Sequence, residues 1–255
     1  MIRTERLTKR YDTRTAVADL DLAIEPGEVF GFLGPNGAGK STTVRILTGL
    51  IPADSGRAFV AGYDIAEQPL EAKKRLGFVP ETPKLYESLT ADGFLDVMGA
   101  LYHLDPATSK SRRDGLFELF GLGDARTLRL REFSKGMRQK VVIASALIHR
   151  PEVLILDEPF DGLDANTALV MKGLLRELAA QGMTILFSSH ILEVVERICT
   201  RICIIDGGRK VAEGTAEEIQ RSLRTSSLDE AFSRLTGVRE AADVTADIIA
   251  ALART

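Results

Sequence analysis

Two cysteines, Cys199 and Cys203, are all that 255 residues contain, and they lie in an apolar alternation with no other metal-ligating residue beside them. That excludes a disulfide framework and reads as buried thiols rather than a metal site. Long apolar runs are missing as well. The longest, residues 141–148, is interrupted by Ser145 and falls far short of the roughly 20 residues needed to cross a bilayer. Residues 1–5 have no apolar signal region. No block of like charge stands out among 33 basic and 36 acidic residues, for a net charge of −3, so a nucleic-acid partner is not expected. There is no internal repeat and no low-complexity tract. The expectation is a soluble, cytoplasmic-type chain whose membrane role, if it has one, comes through a partner. Its 45% hydrophobic content suffices for one large domain or a domain with a sub-lobe.

What is present is organised around Gly34-Pro35-Asn36-Gly37-Ala38-Gly39-Lys40-Ser41, which fits the phosphate-loop pattern G-x-x-x-x-G-K-[ST]. An apolar run, residues 29–33, precedes it as a buried strand, and residues 41–47 follow as a helix start. The glycines let successive backbone N–H groups turn inward on phosphate oxygens, and the helix N-terminus adds its positive end. Lys40 would neutralise the β- and γ-phosphates, and the Ser41 hydroxyl would ligate Mg²⁺. The pattern arises by chance in about one chain of this length in a hundred, and its place between strand and helix lowers that further.

The rest of the chain alternates strand and helix patterns. Residues 2–8 and the alternation Leu20, Leu22, Ile24 read as early strands, with Tyr11 between them serving either as half-buried packing or as a face for stacking adenine. Short strands are expected at 57–62 and 75–80. Helices follow from 91 to 101, capped by Thr90, and from 109 to 120. Ser134 opens a helix with Met137, Val141, Ala144 and Ile148 on one face, ended by Pro151. A fully apolar strand at 153–156 ends in Asp157-Glu158, and Asp164 caps the next helix. A strand from 183 to 187 ends at Ser188-Ser189-His190, a hairpin turns at Gly207-Gly208, and Thr215 to Glu218 form a capping box. A short helix is expected at 241–252. Repeated strand and helix units predict an α/β fold with a mainly parallel sheet, an antiparallel flank from the early strands, and an inserted helical sub-lobe.

In parallel sheets of this kind ligands gather at the carboxyl ends of strands. Asp157 there is either a capping acid or, given the phosphate loop, a ligand of Mg²⁺ directly or through water. Glu158 is placed to polarise the attacking water as a general base. His190 is either a capping histidine or a donor to the γ-phosphate that senses hydrolysis. His103 and His149 lie away from strand ends and receive no role.

Over roughly residues 1–235 the chain resembles the nucleotide-binding subunit of ATP-binding cassette (ABC) transporters, with the family's motifs in their expected order. Tyr11 resembles the adenine-stacking aromatic, and residues 34–41 the Walker A loop, with Thr42 placed at the α-phosphate. Phe133-Ser134-Lys135-Gly136-Met137 resembles the family signature, usually written LSGGQ; residues 153–158 resemble Walker B. Asp161-Gly162-Leu163-Asp164 resembles the loop that crosses the dimer interface, and His190 the switch histidine.

The resemblance implies a P-loop NTPase core, a helical subdomain at roughly 84–146, and a tail from 236 to 255. It also implies an ATPase in which the signature contacts the γ-phosphate held by a second subunit, so that two ATP molecules lie in a head-to-tail dimer. The signature and the stretch 227–237 resemble exporter-type (ABC-2) cassettes, which implies a separate permease subunit and a peripheral place on the inner face of the cell membrane. A soluble cassette ATPase with an accessory role in cofactor assembly, translation or DNA transactions is the alternative. Three positions depart from the family pattern, one of them Met137, which stands in place of the glutamine of the signature. Lys135 replaces a glycine of the signature, where it either adds charge near the phosphates or points to solvent. Glu81 stands where the family usually has a glutamine that ligates Mg²⁺.

Overall fold

The computed structural model describes residues 1–160, 163–189 and 191–238. Strands β1 (Ile2–Tyr11) and β2 (Arg14–Ile24) form an antiparallel hairpin that closes on the pair Tyr11 and Arg14. Then come β3 (Val29–Leu33), α1 (Lys40–Leu47), β4 (Ser55–Val60), β5 (Tyr63–Asp64), α2 (Pro69–Lys74) and β6 (Leu76–Val79). Three helices follow: α3 (Ala91–Leu101), α4 (Pro106–Leu119) and α5 (Lys135–Leu147). The second half alternates β7 (Val153–Asp157), α6 (Ala165–Ala180), β8 (Thr184–Ser188), α7 (Leu192–Ile198) and β9 (Arg201–Asp206). It ends with β10 (Arg209–Gly214), α8 (Ala216–Leu223) and α9 (Leu228–Thr236).

Among the described residues the strands form two sheets. One is antiparallel, in the order β2-β1-β4-β5. The other runs β10-β9-β3-β8-β7-β6, parallel from β9 to β6, with β10 antiparallel on the edge. This is the α/β fold with an antiparallel flank that the strand patterns predict. The interior strands β3, β7 and β8 are buried along their whole length, which is why they read as continuous apolar runs rather than alternations.

Each of these strands feeds two cores, because successive side chains point to opposite faces. Phe30, Phe32, Val153, Ile155 and Leu186 pack under the antiparallel sheet and α1. Val29, Leu33, Leu154, Leu156 and Phe187 pack under the helices. Truncating Phe32 or Phe187, both fully buried, would cost about 3–5 kcal/mol through lost transfer energy and a cavity.

Helices α3 and α4 are tied by charge as well as by apolar contact. Arg113 of α4 bonds Asp96 of α3 at 2.5 Å, and Arg126, beyond α4, bridges Asp92 of α3 at 3.0 Å and Asp114 of α4 at 2.5 Å. Several boundaries differ from the sequence patterns, and β1 runs on from residue 8 to Tyr11, which places Tyr11 in the strand rather than between two strands. Helix α4 begins at Pro106, not at residue 109, since Asp105 accepts the Thr108 N–H at 2.9 Å and Pro106 fits the first turn. Strand β4 begins at Ser55, because Gly56 lets that backbone pass close to β1. Asp161, Gly162, His190 and the expected helix at 241–252 lie outside the described residues.

Candidate functional site

The loop 34–41 leaves the carboxyl end of β3 and enters α1 at Lys40. Gly39, at the N-cap, has φ 110, and a Cβ there would sit 2.3 Å from the Ala16 carbonyl oxygen. Only glycine meets both conditions. Thr43 then donates both its N–H and its hydroxyl to the Gly39 carbonyl, at 2.9 and 3.0 Å. A brace comes from far along the chain. Gly208, between β9 and β10, donates its N–H to the Ala38 carbonyl at 3.0 Å and accepts the Ala18 N–H at 2.8 Å. It has φ 80, and a Cβ would lie 2.9 Å from the Ala16 oxygen. The sequence shows a hairpin turn there; the structure makes it the link between β2 and the phosphate loop.

Strands β7, β3 and β8 are neighbours in the sheet, so their carboxyl ends bring Asp157, Glu158, Ser188 and the loop together. Lys40 donates to the carbonyls of Gly34 at 2.5 Å and Pro35 at 3.3 Å. Burial lowers its pKa, and the carboxylates of Glu158, Asp157 and Glu81 pull it the other way. Asp157 is buried and accepts a hydrogen bond from the Ser188 hydroxyl, its register partner on β8. Glu158 departs from the strand with φ 49, its N–H donating to the Ser188 carbonyl at 3.1 Å. A non-glycine residue held in the left-handed region stores strain, and such strain gathers at functional sites. Ser188 orients the acid, a role its place at a strand end did not reveal.

Beside the loop lies a cleft of about 320 Å³ lined by Tyr11, Arg14, Ala16 and loop residues including Lys40, Ser41 and Thr42. Tyr11 is 43% exposed, with the Lys9 ammonium 5.7 Å from its ring centroid. Its ring is therefore available to a planar ligand rather than committed to packing. Arg14 was not foreseen, although it closes the hairpin opposite Tyr11.

None of Ser134, Lys135, Gly136 and Met137 lines that cleft. Ser134 caps α5, accepting the Met137 N–H at 3.2 Å, and both Ser134 and Lys135 are exposed. Helix α5 is tied to the segment after Glu158. Gln139, buried, donates to the Pro159 carbonyl at 3.3 Å, and the Lys140 ammonium lies 3.7 Å from Asp164. Asp164 caps α6, taking the N–H and hydroxyl of Thr167 at 2.9 and 2.7 Å. The Thr167 hydrogen bonds hold its pKa at about 2. Leu163 is partly buried and donates to the Phe160 carbonyl at 3.2 Å.

Among the described residues no group of three or more His, Cys, Asp and Glu side chains is placed to hold a metal. Burial pushes the Cys203 thiol up to about 12 and raises Cys199 as well, so both are inert thiols.

Comparison with known proteins bears on this arrangement. Residues 17–161 match the family model described as ABC transporter. The linearmycin resistance ATP-binding protein LnrL of Bacillus subtilis (strain 168) is 38% identical over 252 residues, spanning 96% of this chain and 80% of that protein. The Nod factor export ATP-binding protein I of Ralstonia nicotianae is 38% identical over 219 residues, spanning 86% of this chain and 68% of that protein. A solved structure described as the ATP binding subunit of an ABC transporter superposes with a TM-score of 0.88 at 35% identity, covering 92% of this chain and 99% of that one.

Proposed function

The chain belongs to the ABC transporter family, and from that premise we propose that it is the ATP-hydrolysing subunit of an exporter, working as a dimer on a separate membrane permease. The observation that carries the reading is the placement of Asp157 and Glu158, at the carboxyl end of β7, in the same sheet as the strand that leads into the phosphate loop and Lys40. A lysine on the loop and two acids at the carboxyl ends of parallel strands of one sheet suit a nucleoside triphosphate and its counter-ion.

The roles follow from position. Residues 34–42 hold the phosphates through loop N–H groups, the N-terminus of α1 and the Lys40 ammonium. Tyr11 stacks the adenine. The donors Ser41, Asp157 and Glu81 are all oxygens, which fits Mg²⁺, with the remaining positions left to phosphate oxygens and water. When bound, Mg²⁺ neutralises charge on the β- and γ-phosphates. Asp157 is held for this by the Ser188 hydroxyl. Glu158 accepts the proton of a water that attacks the γ-phosphorus, the bond to the β-phosphate oxygen breaks, and ADP and phosphate leave. His190 would donate to the γ-phosphate.

Ser134 and Lys135 are exposed, Gly136 and Met137 are half-buried, and none of the four lines the chain's own cleft, which suits contact with ATP held by a second subunit. The segment Asp161, Gly162, Leu163, Asp164 would lie along that interface. We place the ATPase domain at 1–235, with its helical subdomain at roughly 84–146 and a tail from 236 to 255. No helix among the described residues is long and apolar enough to cross a membrane; the attachment is assigned to the permease, on the inner face of the cell membrane. Export is supported by the kinship to LnrL, a linearmycin resistance protein, and to the Nod factor export protein.

The test is Glu158→Gln in the full chain. It should bind ATP, accumulate as a closed dimer on size-exclusion chromatography with ATP, and lose hydrolysis by at least a hundredfold, on the order expected for a general base. Hydrolysis at the wild-type rate would remove Glu158 from its role. Purification from its own cells should bring down a polytopic membrane protein; soluble partners alone would favour an accessory ATPase.

A further inference from the structure

The hairpin that presents Tyr11 presents a second group to the same cleft. Tyr11 and Arg14 are Cα partners at the closing end of β1 and β2. Residues directly opposite in an antiparallel pair project to one face of the sheet, with Cβ atoms about 5 Å apart. The Arg14 guanidinium crosses to the phosphate loop, donating from one terminal nitrogen to the Gly37 carbonyl at 2.5 Å. Gly37 has φ 79, and a Cβ there would come 2.9 Å from the same nitrogen, so the missing side chain is what admits the guanidinium.

Lys40 does the same at the other side of the loop, resting on the carbonyls of Gly34 and Pro35. The two cations that line the cleft therefore both sit on loop carbonyls. A neutral carbonyl is a weaker acceptor for these cations than an anionic phosphate oxygen, which a guanidinium can also meet with two parallel bonds. Arg14 is exposed, so leaving its carbonyl strands no buried charge. Its planar fork has five donors, and the Gly37 carbonyl takes one.

We propose that Arg14 is a nucleotide-positioning residue: its guanidinium bonds a phosphate oxygen on the adenine side of ATP, joining the base stacked on Tyr11 to the phosphates in the loop. This rests on the nucleotide-site reading above. A hairpin that places an aromatic face and a cation side by side suits the junction of base and phosphate chain, where both chemistries meet.

The experiment measures ATP, ADP and adenosine binding by competition with a fluorescent ATP analogue, for the full chain and for Arg14→Ala, Arg14→Lys and Lys40→Ala. Arg14→Ala should weaken ATP and ADP about tenfold each, as loss of one charge-assisted bond implies, and change adenosine less than twofold. The ATP deficit should shrink at high salt, Arg14→Lys should recover part of it, and KM for ATP should rise by a larger factor than kcat falls. ATP affinity of Arg14→Ala within twofold of wild type, while Lys40→Ala loses ATP, would overturn the role of Arg14 alone. An equal loss for adenosine would also overturn it, by showing that the hairpin itself had moved. If Lys40→Ala binds ATP normally as well, the nucleotide site falls, and Arg14 with it.

Discussion

The side-chain amide of Gln139 donates to the carbonyl of Pro159 in the protein interior, 3.3 Å away. The bond ties α5, which begins at the Ser134 cap, to the chain just after Glu158. Gln139→Leu keeps much of the volume and leaves the Pro159 carbonyl without that donor. It should cost about 1–3 kcal/mol, the penalty of an unsatisfied buried acceptor, measured by urea unfolding. Hydrolysis should fall further than ATP affinity, because the segment leading from Glu158 loses its anchor. An unchanged kcat in a destabilised protein would confine the bond to folding.

Glu158 stands at φ 49, which tests the backbone and the carboxylate separately. Glycine adopts that conformation without a Cβ penalty. Of two variants that both remove the base, Glu158→Gly should therefore be more stable than Glu158→Gln by about 0.5–1 kcal/mol. Thermal unfolding without nucleotide reads the difference. Equal midpoints would mean that the left-handed turn is unstrained.

His149 links the end of α5 to the neighbouring elements. Its ring lies flat on Tyr102, centroids 3.6 Å apart, and Nε2 bonds the Leu76 carbonyl at 3.2 Å, an arrangement suited to the neutral ring donating from that nitrogen. Burial, aided by the nearby Arg112 and opposed by the Leu76 bond, holds the imidazole at about 4. The folded value lies below the ordinary 6.5, so the unfolded chain binds the extra proton. Stability is whole above pH 6.5 and declines as pH falls towards 4, by about 1–2 kcal/mol at pH 5. His149→Phe keeps the stacking and removes the titration. Its urea midpoint should change less than the wild type's between pH 7.5 and 5, and parallel curves would refute this.

Glu81 reaches Lys40 with its field. In the site proposed above it would add negative charge on the side of the triphosphate. Glu81→Gln should raise the hydrolysis rate at saturating Mg²⁺ and shift the Mg²⁺ concentration needed for half activity. Superimposable titrations for wild type and variant would remove Glu81 from the site.

Much of the fold could be read from local pattern, since apolar strands, the Thr90, Ser134 and Asp164 caps and the Thr215 capping box are encoded within a few residues. The place of residues 34–41 between strand and helix, and of Asp157 at the end of an apolar strand, was legible for the same reason: each follows directly on its own strand. Arg14, Ser188, Gln139 and Gly208 were not. Each acts on a group 20 or more residues away, and nothing in their immediate neighbours distinguishes an arginine at a hairpin end from a solvated one. The left-handed turn at Glu158 was equally silent, because glutamate is not a residue that announces positive φ.

The brace at Gly208 holds the sheet that presents Tyr11 against the sheet that presents the phosphate loop. With the adenine on Tyr11, as proposed above, a nucleotide would act as a bivalent ligand, base at one end and phosphates at the other, on two surfaces whose separation the protein has already fixed. Once one end is seated, the other meets its surface at an effective concentration set by that spacing. Loosening the brace would lower avidity for the whole nucleotide while leaving the affinity of each fragment as it was.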